Sequence, residues 1–496
     1  MADLNLRLLD YSMLHVDCEP GIAKELSEYF SFYVPGYKFM PAYKNRVWDG
    51  KIRLFNHNTQ EISAGLYIQI QKFASQRNYT SAILDNPRYG SPEDTNKISE
   101  FRQWLDIEEK TSLPFSARNY QEEAVKVALR SSRAILLSPT GSGKSFIIYL
   151  IMKYYMTMTS EKGKILIIVP TTSLVEQMYS DFESYGMLVK NACHRIYSGK
   201  DKSTDKRVII STWQSIYKYP KKWFEQFGMV IGDECHGFKS KSLSSIMNKA
   251  TEAKYRFGTT GTLDGTQTHK LVLEGLFGPV YKVTTTKKLQ DEETLAPLDI
   301  KVLLLQYSEE VRKDFGKRTY QEEIDFLIGN PVRNRLIRNL ALDAKGNTLV
   351  LFNRVDAHGK PLYEMINNKA EEGRKVFFVS GEVATSDRES IRKIVEKQKD
   401  AIIVASLGTF STGINIRNLH NIVFASPSKS QIKVLQSIGR GLRISDDGRE
   451  TKLFDIADDL HWRSRENYTL VHSAERVKIY EKEQFKYKII KVDIND

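Results

Sequence analysis

Short apolar runs alternate along most of the chain with longer stretches in which apolar residues recur every three or four positions. Between about residues 115 and 280 the runs are 134–137, 165–169, 208–210 and 229–231, and stretches such as 173–185 carry the helical period. Uninterrupted apolar runs of this length suit strands buried on both faces, so the pattern predicts a parallel sheet covered by helices on each side. A second series follows at 348–352, 376–379, 401–404 and 421–425, with a polar connection over 282–297 between the two. The economical conclusion is two α/β domains in tandem.

The first ninety residues differ. An amphipathic stretch, 21–30, precedes a segment in which aromatic and basic residues alternate through 43–55, with a tight-turn signal at Asp49-Gly50. The alternation predicts a hairpin with cations on one face and rings on the other. Two uses stay open for it. One is a half-buried hairpin with a solvated basic edge; the other is a nucleic-acid contact in which Lys44, Arg46, Lys51 and Arg53 meet phosphates and the rings stack on bases. Turn formers crowd 85–96, which reads as a linker, and the last forty residues are charged and aromatic with a helical stretch at 473–483 and no assignable chemistry.

Composition narrows the classes. Lys and Arg outnumber Asp and Glu by 73 to 61 over 496 residues, a net charge of +12 that suits a polyanionic partner and equally fits basic proteins that bind nothing charged. The three cysteines, Cys18, Cys193 and Cys235, lie too far apart for metal-ligand pairing, which points to a reducing compartment and away from a zinc module. No apolar stretch reaches the roughly 18 residues of a membrane span, and no basic-then-apolar leader opens the chain, so a cytoplasmic protein is expected.

Candidate chemistry begins at Ser138-Pro139-Thr140-Gly141-Ser142-Gly143-Lys144-Ser145. The segment follows the run 134–137 and opens the helical run 146–151, the strand–loop–helix setting of a phosphate-binding loop. Gly141 and Gly143 let the backbone curl so that amide N–H groups from Thr140 onward face phosphate oxygens, aided by the helix N-terminus. Lys144 would reach the β- and γ-phosphates, and Ser145 would offer its hydroxyl to Mg2+. Ser138 stands where the usual G-x-x-x-x-G-K-[ST] pattern has its first glycine. A Gly/Ser turn before a helix is the alternative, and the flanking strand and helix tell against it.

Met229-Val230-Ile231-Gly232-Asp233-Glu234-Cys235-His236 then places two carboxylates at the end of an apolar run. At the edge of the same sheet, Asp233 would hold Mg2+ and Glu234 would orient and deprotonate the water that attacks the γ-phosphate. Alone, such a pair reads as surface charge; joined to the upstream loop, it points to nucleoside triphosphate hydrolysis.

These residues resemble superfamily 2 helicases and translocases, in which Asp-Glu-Cys-His is a DExH box. Arg118-Asn119-Tyr120-Gln121 resembles the adenine-recognition element ahead of the loop. Residues 168–177, with Pro170 and Thr171, resemble motif Ia, and 210–215, with Thr212, motif Ib. Thr259-Thr260-Gly261-Thr262-Leu263 stands at motif III with an inserted glycine, and 351–354 resembles motif IV. Residues 405–416 resemble motif V, with Asn415 where Asp is frequent, and Gln436-Ser437-Ile438-Gly439-Arg440-Gly441-Leu442-Arg443 closely matches motif VI. The ordered set spans 118–443 and is closest to the XPB/RecG-like branch. With the aromatic N-terminal segment included, the whole chain resembles the recombination and fork-remodelling helicases of T-even bacteriophages.

The resemblance implies two RecA-like domains behind a small α+β domain, with boundaries expected at 1–92, 93–288, 289–450 and 451–496, the last a short C-terminal extension. It implies ATP and Mg2+ as cofactors, with Arg118, Gln121, Gly413 and Asn415 joining the loop around the nucleotide. Arg440 and Arg443, three apart on a helix, share one face and would act as arginine fingers on the γ-phosphate. His236 would couple the γ-phosphate to Thr260 and Thr262, or is a packed histidine. Pro170, Thr171, Thr212, Ser406 and Thr409 would line the nucleic-acid strand. The activity implied is ATP-driven remodelling of branched or duplex DNA by a monomer, at stalled forks, Holliday junctions, D-loops and R-loops, where RNA is a further partner. Phage replication or recombination proteins are expected partners, in the host cytoplasm. A DExH RNA helicase, a restriction-system motor subunit and a scaffold with a decayed nucleotide site are the alternatives.

Overall fold

The computed structural model describes residues 2–84, 95–157, 163–197, 203–263, 266–315, 318–383, 385–413, 416, 418–426, 438–439 and 450–494. Two compact units emerge: residues 1–138 with 143–283, and residues 139–142 with 284–496.

The first unit opens with a five-stranded sheet in the order Phe55–Asn56, Glu61–Ser63, Met13–Cys18, Leu4–Leu8, Ser81–Ile83. Alternation in the strands Leu4–Leu8 and Met13–Cys18 sends Leu4, Leu6, Leu14 and Val16 inward, where the helices Pro20–Tyr29 and Tyr67–Gln76 cover them with Leu26, Ile70 and Phe73. The basic-aromatic segment departs from the predicted hairpin. Lys51–Arg53 is a strand paired antiparallel to Ser31–Tyr33, Phe55 already belongs to the five-stranded sheet, and the residues between 33 and 51 form a 3-10 turn, Tyr37–Phe39, and a one-turn helix, Pro41–Lys44. Pro41 at the helix start favours that turn. Gly50 sits at φ +82° with the Tyr37 ring 2.3 Å from where a Cβ would be, so the glycine serves a ring packed on the backbone. Of the linker signal at 85–96, residues 85–94 lie outside the described residues, and Thr95 and Asn96 instead open the helix Thr95–Thr111.

The second sheet of this unit has seven parallel strands, in the order Cys193–Ile196, Val208–Thr212, Lys164–Val169, Phe227–Asp233, Tyr255–Thr260, Arg133–Leu137, Val280–Lys282. Each apolar run read between residues 115 and 280 lies in one of these strands; Cys193–Ile196, Tyr255–Thr260 and Val280–Lys282 are additions. The small N-terminal sheet is bolted to it. Arg256, 1% exposed, donates to Ser12 Oγ at 2.7 Å and to the carbonyl of Met247 at 2.9 Å, and the Arg133 guanidinium donates to the Tyr11 carbonyl.

The second unit repeats the plan with seven parallel strands, in the order Val376–Val379, Ile402–Ser406, Thr348–Phe352, Asn421–Phe424, Thr451–Asp459, Leu298–Tyr307, Tyr487–Ile494. Residues 451–496, to which the sequence assigns no chemistry, supply two of these strands and the helix Tyr468–Lys482. Arg476 of that helix meets Asp455 at 2.7 Å with both side chains buried, and Glu323 caps its first turn by accepting from the Tyr468 and Thr469 amides at 2.9 and 2.7 Å. A second buried pair joins Arg333 and Asp458 at 2.8 Å, with the Tyr307 hydroxyl donating to the same carboxylate. Among the described residues no helix is long and apolar enough to cross a membrane. The chain therefore holds two tandem RecA-like parallel-sheet domains behind a small α+β domain.

Candidate active site

Three adjacent strands of the first seven-stranded sheet end at the same level. Asp233 pairs with Thr259, and Thr260 pairs with Leu137, so the carboxylate turn, the motif III segment and the phosphate-loop candidate leave neighbouring strand ends. Ser138 N–H donates to the Thr260 carbonyl at 2.9 Å, fixing the start of the loop against motif III.

Asp233 is held by its neighbours. Its Oδ1 accepts from the Thr259 hydroxyl at 2.7 Å and from the Glu234 amide at 2.9 Å. Burial first, and the Glu234 charge second, push its carboxyl up to about 6, while Lys144 and the two hydrogen bonds oppose the rise. Burial and repulsion of this kind are relieved by a cation. A carboxylate and a serine hydroxyl are oxygen donors of the kind Mg2+ takes, and Asp233 and Ser145 are the residues that could hold one. Glu234 lies at φ +50°, a left-handed conformation that costs a non-glycine residue on the order of 1 kcal/mol and persists only where surroundings impose it.

In the loop, Gly141 and Gly143 adopt φ +86° and +79°, as the phosphate-cradle reading requires. Ser142 N–H and Oγ–H both donate to the Pro139 carbonyl, at 3.2 and 2.6 Å, closing a turn around Thr140 and Gly141. Lys144 opens the helix Lys144–Thr157 and donates to the Ser138 carbonyl at 3.3 Å. Ser145 Oγ lies 3.1 Å from the Tyr185 hydroxyl. Gln121 is buried beside the loop: its Oε1 accepts from the Arg118 amide at 3.0 Å, and its Nε2 occupies the space a Cβ at Gly143 would need. Arg118 Nη1 donates to the Tyr120 hydroxyl at 3.1 Å.

His236 joins the carboxylate turn to motif III. The Thr260 hydroxyl donates to the Thr262 carbonyl at 3.0 Å, so its oxygen is left to accept from His236 Nδ1, also at 3.0 Å. His236 Nδ1 therefore carries a proton, and Glu234 Oε2 lies 3.3 Å from the same nitrogen. His236, Thr260 and Thr262 thus share one hydrogen-bonded chain, Thr262 through its carbonyl.

The strand-facing candidates sit at strand ends. Thr171 caps the helix Thr172–Ser184 through its hydroxyl, Thr212 Oγ1 lies 2.9 Å from Ser215 Oγ, and Gln214 reaches the Pro170 carbonyl at 3.4 Å, joining motifs Ia and Ib. In the second unit, Ser406 Oγ donates to Thr409 Oγ1 at 2.6 Å after the strand Ile402–Ser406. Gly413 ends the helix Leu407–Gly413, whereas Asn415, Arg440 and Arg443 lie outside the described residues.

The N-terminal cations divide. Lys44 and Arg46 line a cleft of about 510 Å3 with Tyr43 and Trp48. Lys51 stands over the Tyr33 ring at 4.9 Å, and Tyr33 stacks on Tyr37 at 4.6 Å between centroids. Arg53 is paired with Asp49, whose carboxyl that contact holds below the usual carboxylate range. Sequence reasoning missed Thr259, Tyr185 and His269, the last donating from Nε2 to the His236 carbonyl at 2.8 Å. Only Thr259, inside the motif III segment, carried a sequence signal.

Three family models match the chain: "Type III restriction enzyme, res subunit" over residues 114–265, "DNA helicase UvsW, N-terminal" over 3–84 and "Helicase conserved C-terminal domain" over 332–445. The ATP-dependent DNA helicase uvsW of Enterobacteria phage T4 is 36% identical over 504 residues, 98% of each chain. The DNA 3'-5' translocase XPB2 of Sulfurisphaera tokodaii is 25% identical over 398 residues, 71% of this chain and 86% of that one. The crystal structure of T4 UvsW superposes with a TM-score of 0.51 at 34% identity, covering 99% of this chain and 100% of the other.

Proposed function

The chain belongs to the family of the phage T4 DNA helicase UvsW, and from that premise we propose that it is an ATP-driven DNA motor that remodels branched DNA such as forks and four-way junctions. The observation that carries this is the alignment of Asp233, Thr260 and the Ser138 loop on three neighbouring strand ends. Lys144 grips the terminal phosphates, backbone amides of Thr140–Gly143 cradle them, and Gln121 and Arg118 face the adenine. Ser145 and Asp233 would hold Mg2+, which when bound neutralises charge on the phosphates. Glu234 accepts the proton of the attacking water, and Arg440 and Arg443 meet charge that develops on the γ-phosphate. Gly413 and Asn415 complete the nucleotide's surroundings.

On the DNA side, Pro170, Thr171, Thr212, Ser406 and Thr409 contact a strand backbone, and Lys44, Arg46 and Lys51 with the rings beside them hold a duplex arm. Contacts of this type give salt-sensitive affinity with little sequence preference. The test is the ATPase rate titrated with single-stranded, duplex, forked and four-way DNA and with structured RNA. Greatest stimulation by forked or four-way DNA is expected. Greater stimulation by structured RNA would transfer the assignment to an RNA helicase.

A further inference from the structure

The helix Gln267–Phe277 follows the motif III segment and has two buried faces. One face, at positions 269, 273, 276 and 277, turns to the core behind the carboxylate turn. His269, 4% exposed, donates from Nε2 to the His236 carbonyl at 2.8 Å, and Phe277 packs edge-on against Phe238 with centroids 5.1 Å apart. The two ends of the helix thus grip the two ends of the segment 236–238. The other face, at 271, 274 and 275, belongs to the N-terminal domain. Leu271 is buried in that domain's hydrophobic core, and Gln69 Nε2 donates to Glu274 Oε2 at 2.9 Å. Gly65 meets the helix so closely that a Cβ there would stand 2.1 Å from the Glu274 carbonyl oxygen, and one at Gly275 would stand 3.0 Å from Ser63 Cβ.

A left-handed glutamate needs its neighbours to hold it. At Glu234 the local restraints are its own amide on Asp233 Oδ1, its carbonyl accepting from Gly237 N–H at 3.1 Å, and the His236 Nδ1 contact with its carboxylate. His269 adds a restraint from a separate helix, and that helix is anchored in the domain that carries the basic-aromatic cleft.

We infer that His269 is a positioning residue for Glu234, and that the helix Gln267–Phe277 transmits DNA engagement at the N-terminal domain to the hydrolytic turn. The inference rests on the function proposed above for Glu234. A shift of the N-terminal domain on DNA moves Glu274 and Gly275 directly, and the same rigid helix moves the hydrogen bond on His236. Eleven residues form three turns, short enough to move as one body.

The experiment measures kcat and KM for ATP in the full chain with saturating forked DNA, for His269→Ala, His269→Gln and Gln69→Ala, with thermal melting alongside. Glutamine restores an N–H donor near the position of the imidazole Nε2. His269→Ala is expected to lower kcat about tenfold or more with KM within about twofold, and His269→Gln to recover most of the loss. Gln69→Ala is expected to reduce the DNA-stimulated kcat about twofold to fivefold at an unchanged melting temperature. An unchanged kcat in His269→Ala, or equal losses in both His269 variants, would overturn the positioning role. Full DNA stimulation in Gln69→Ala would overturn the transmission. Wild-type chain without DNA-stimulated turnover would instead overturn the proposed function, so the two failures are distinct.

Discussion

Thr259 donates its hydroxyl to Asp233 Oδ1 at 2.7 Å, across neighbouring parallel strands in register. The bond stabilises the ionised carboxylate against burial and against Glu234. Thr259→Val keeps the shape and removes the donor, leaving the carboxylate short of one partner. The expected outcome is a further rise in the Asp233 carboxyl pKa and a fall in Mg2+ affinity of about tenfold, given roughly 1–3 kcal/mol for such a loss. A Mg2+ titration of the ATPase rate at pH 7 checks it.

The pH dependence follows from the same group. Asp233 titrates at about 6 when folded, against an ordinary 3.8. Between those values the folded chain binds more protons than the unfolded chain, so stability without metal falls as pH rises through about 6. Asp233→Asn removes the charge that burial penalises. It is expected to melt at a higher temperature than wild type at pH 8, with the gap closing below pH 6, while Mg2+-dependent hydrolysis is lost. Melting curves of metal-free protein at pH 5 and pH 8 check the sign.

Arg476 and Asp455 are both buried, and the Tyr480 hydroxyl donates to the same carboxylate at 2.8 Å. Removing one partner of such a pair costs about 3–5 kcal/mol because a buried charge is left alone. Arg476→Met should therefore lower the melting temperature markedly. The double variant Arg476→Met with Asp455→Leu should regain much of it, since a matched apolar pair replaces the ions.

The N-terminal cations are unequal. Lys44 and Arg46 line the aromatic cleft, whereas Arg53 is paired with Asp49. Lys44→Ala and Arg46→Ala are each expected to weaken forked-DNA binding and to lower the salt slope by about one, without changing the KM for ATP. Arg53→Ala should do less. Binding isotherms at several salt concentrations separate the three.

Much of this was legible in the sequence because buried parallel strands are apolar throughout and phosphate loops need glycine at fixed places. The runs at 134–137, 165–169 and 229–231 are strands, and Gly141 and Gly143 have the positive φ their spacing implied. The strand Tyr255–Thr260 was hidden because its buried Arg256, Thr259 and Thr260 read as polar. The final strand, Tyr487–Ile494, was hidden because it lies at the sheet edge, where Lys488, Lys491 and Asp493 interrupt the apolar residues and no continuous run appears. The basic-aromatic segment misled because Pro41 and the ring packed over Gly50 set its backbone, and neither is a strand signal. His269 carried no motif at all. Its role depends on a helix that packs against two domains, a long-range arrangement that no local pattern encodes.

Glu234, held left-handed beside Asp233, is the proposed general base of the hydrolytic step that drives the motor. The most direct measurement is ATP turnover by Glu234→Gln with saturating forked DNA, alongside nucleotide and DNA binding by the same variant. The expected result is a kcat lower by about a hundredfold or more, in line with loss of a general base, with both affinities close to wild type. Turnover within a few fold of wild type would contradict the assignment.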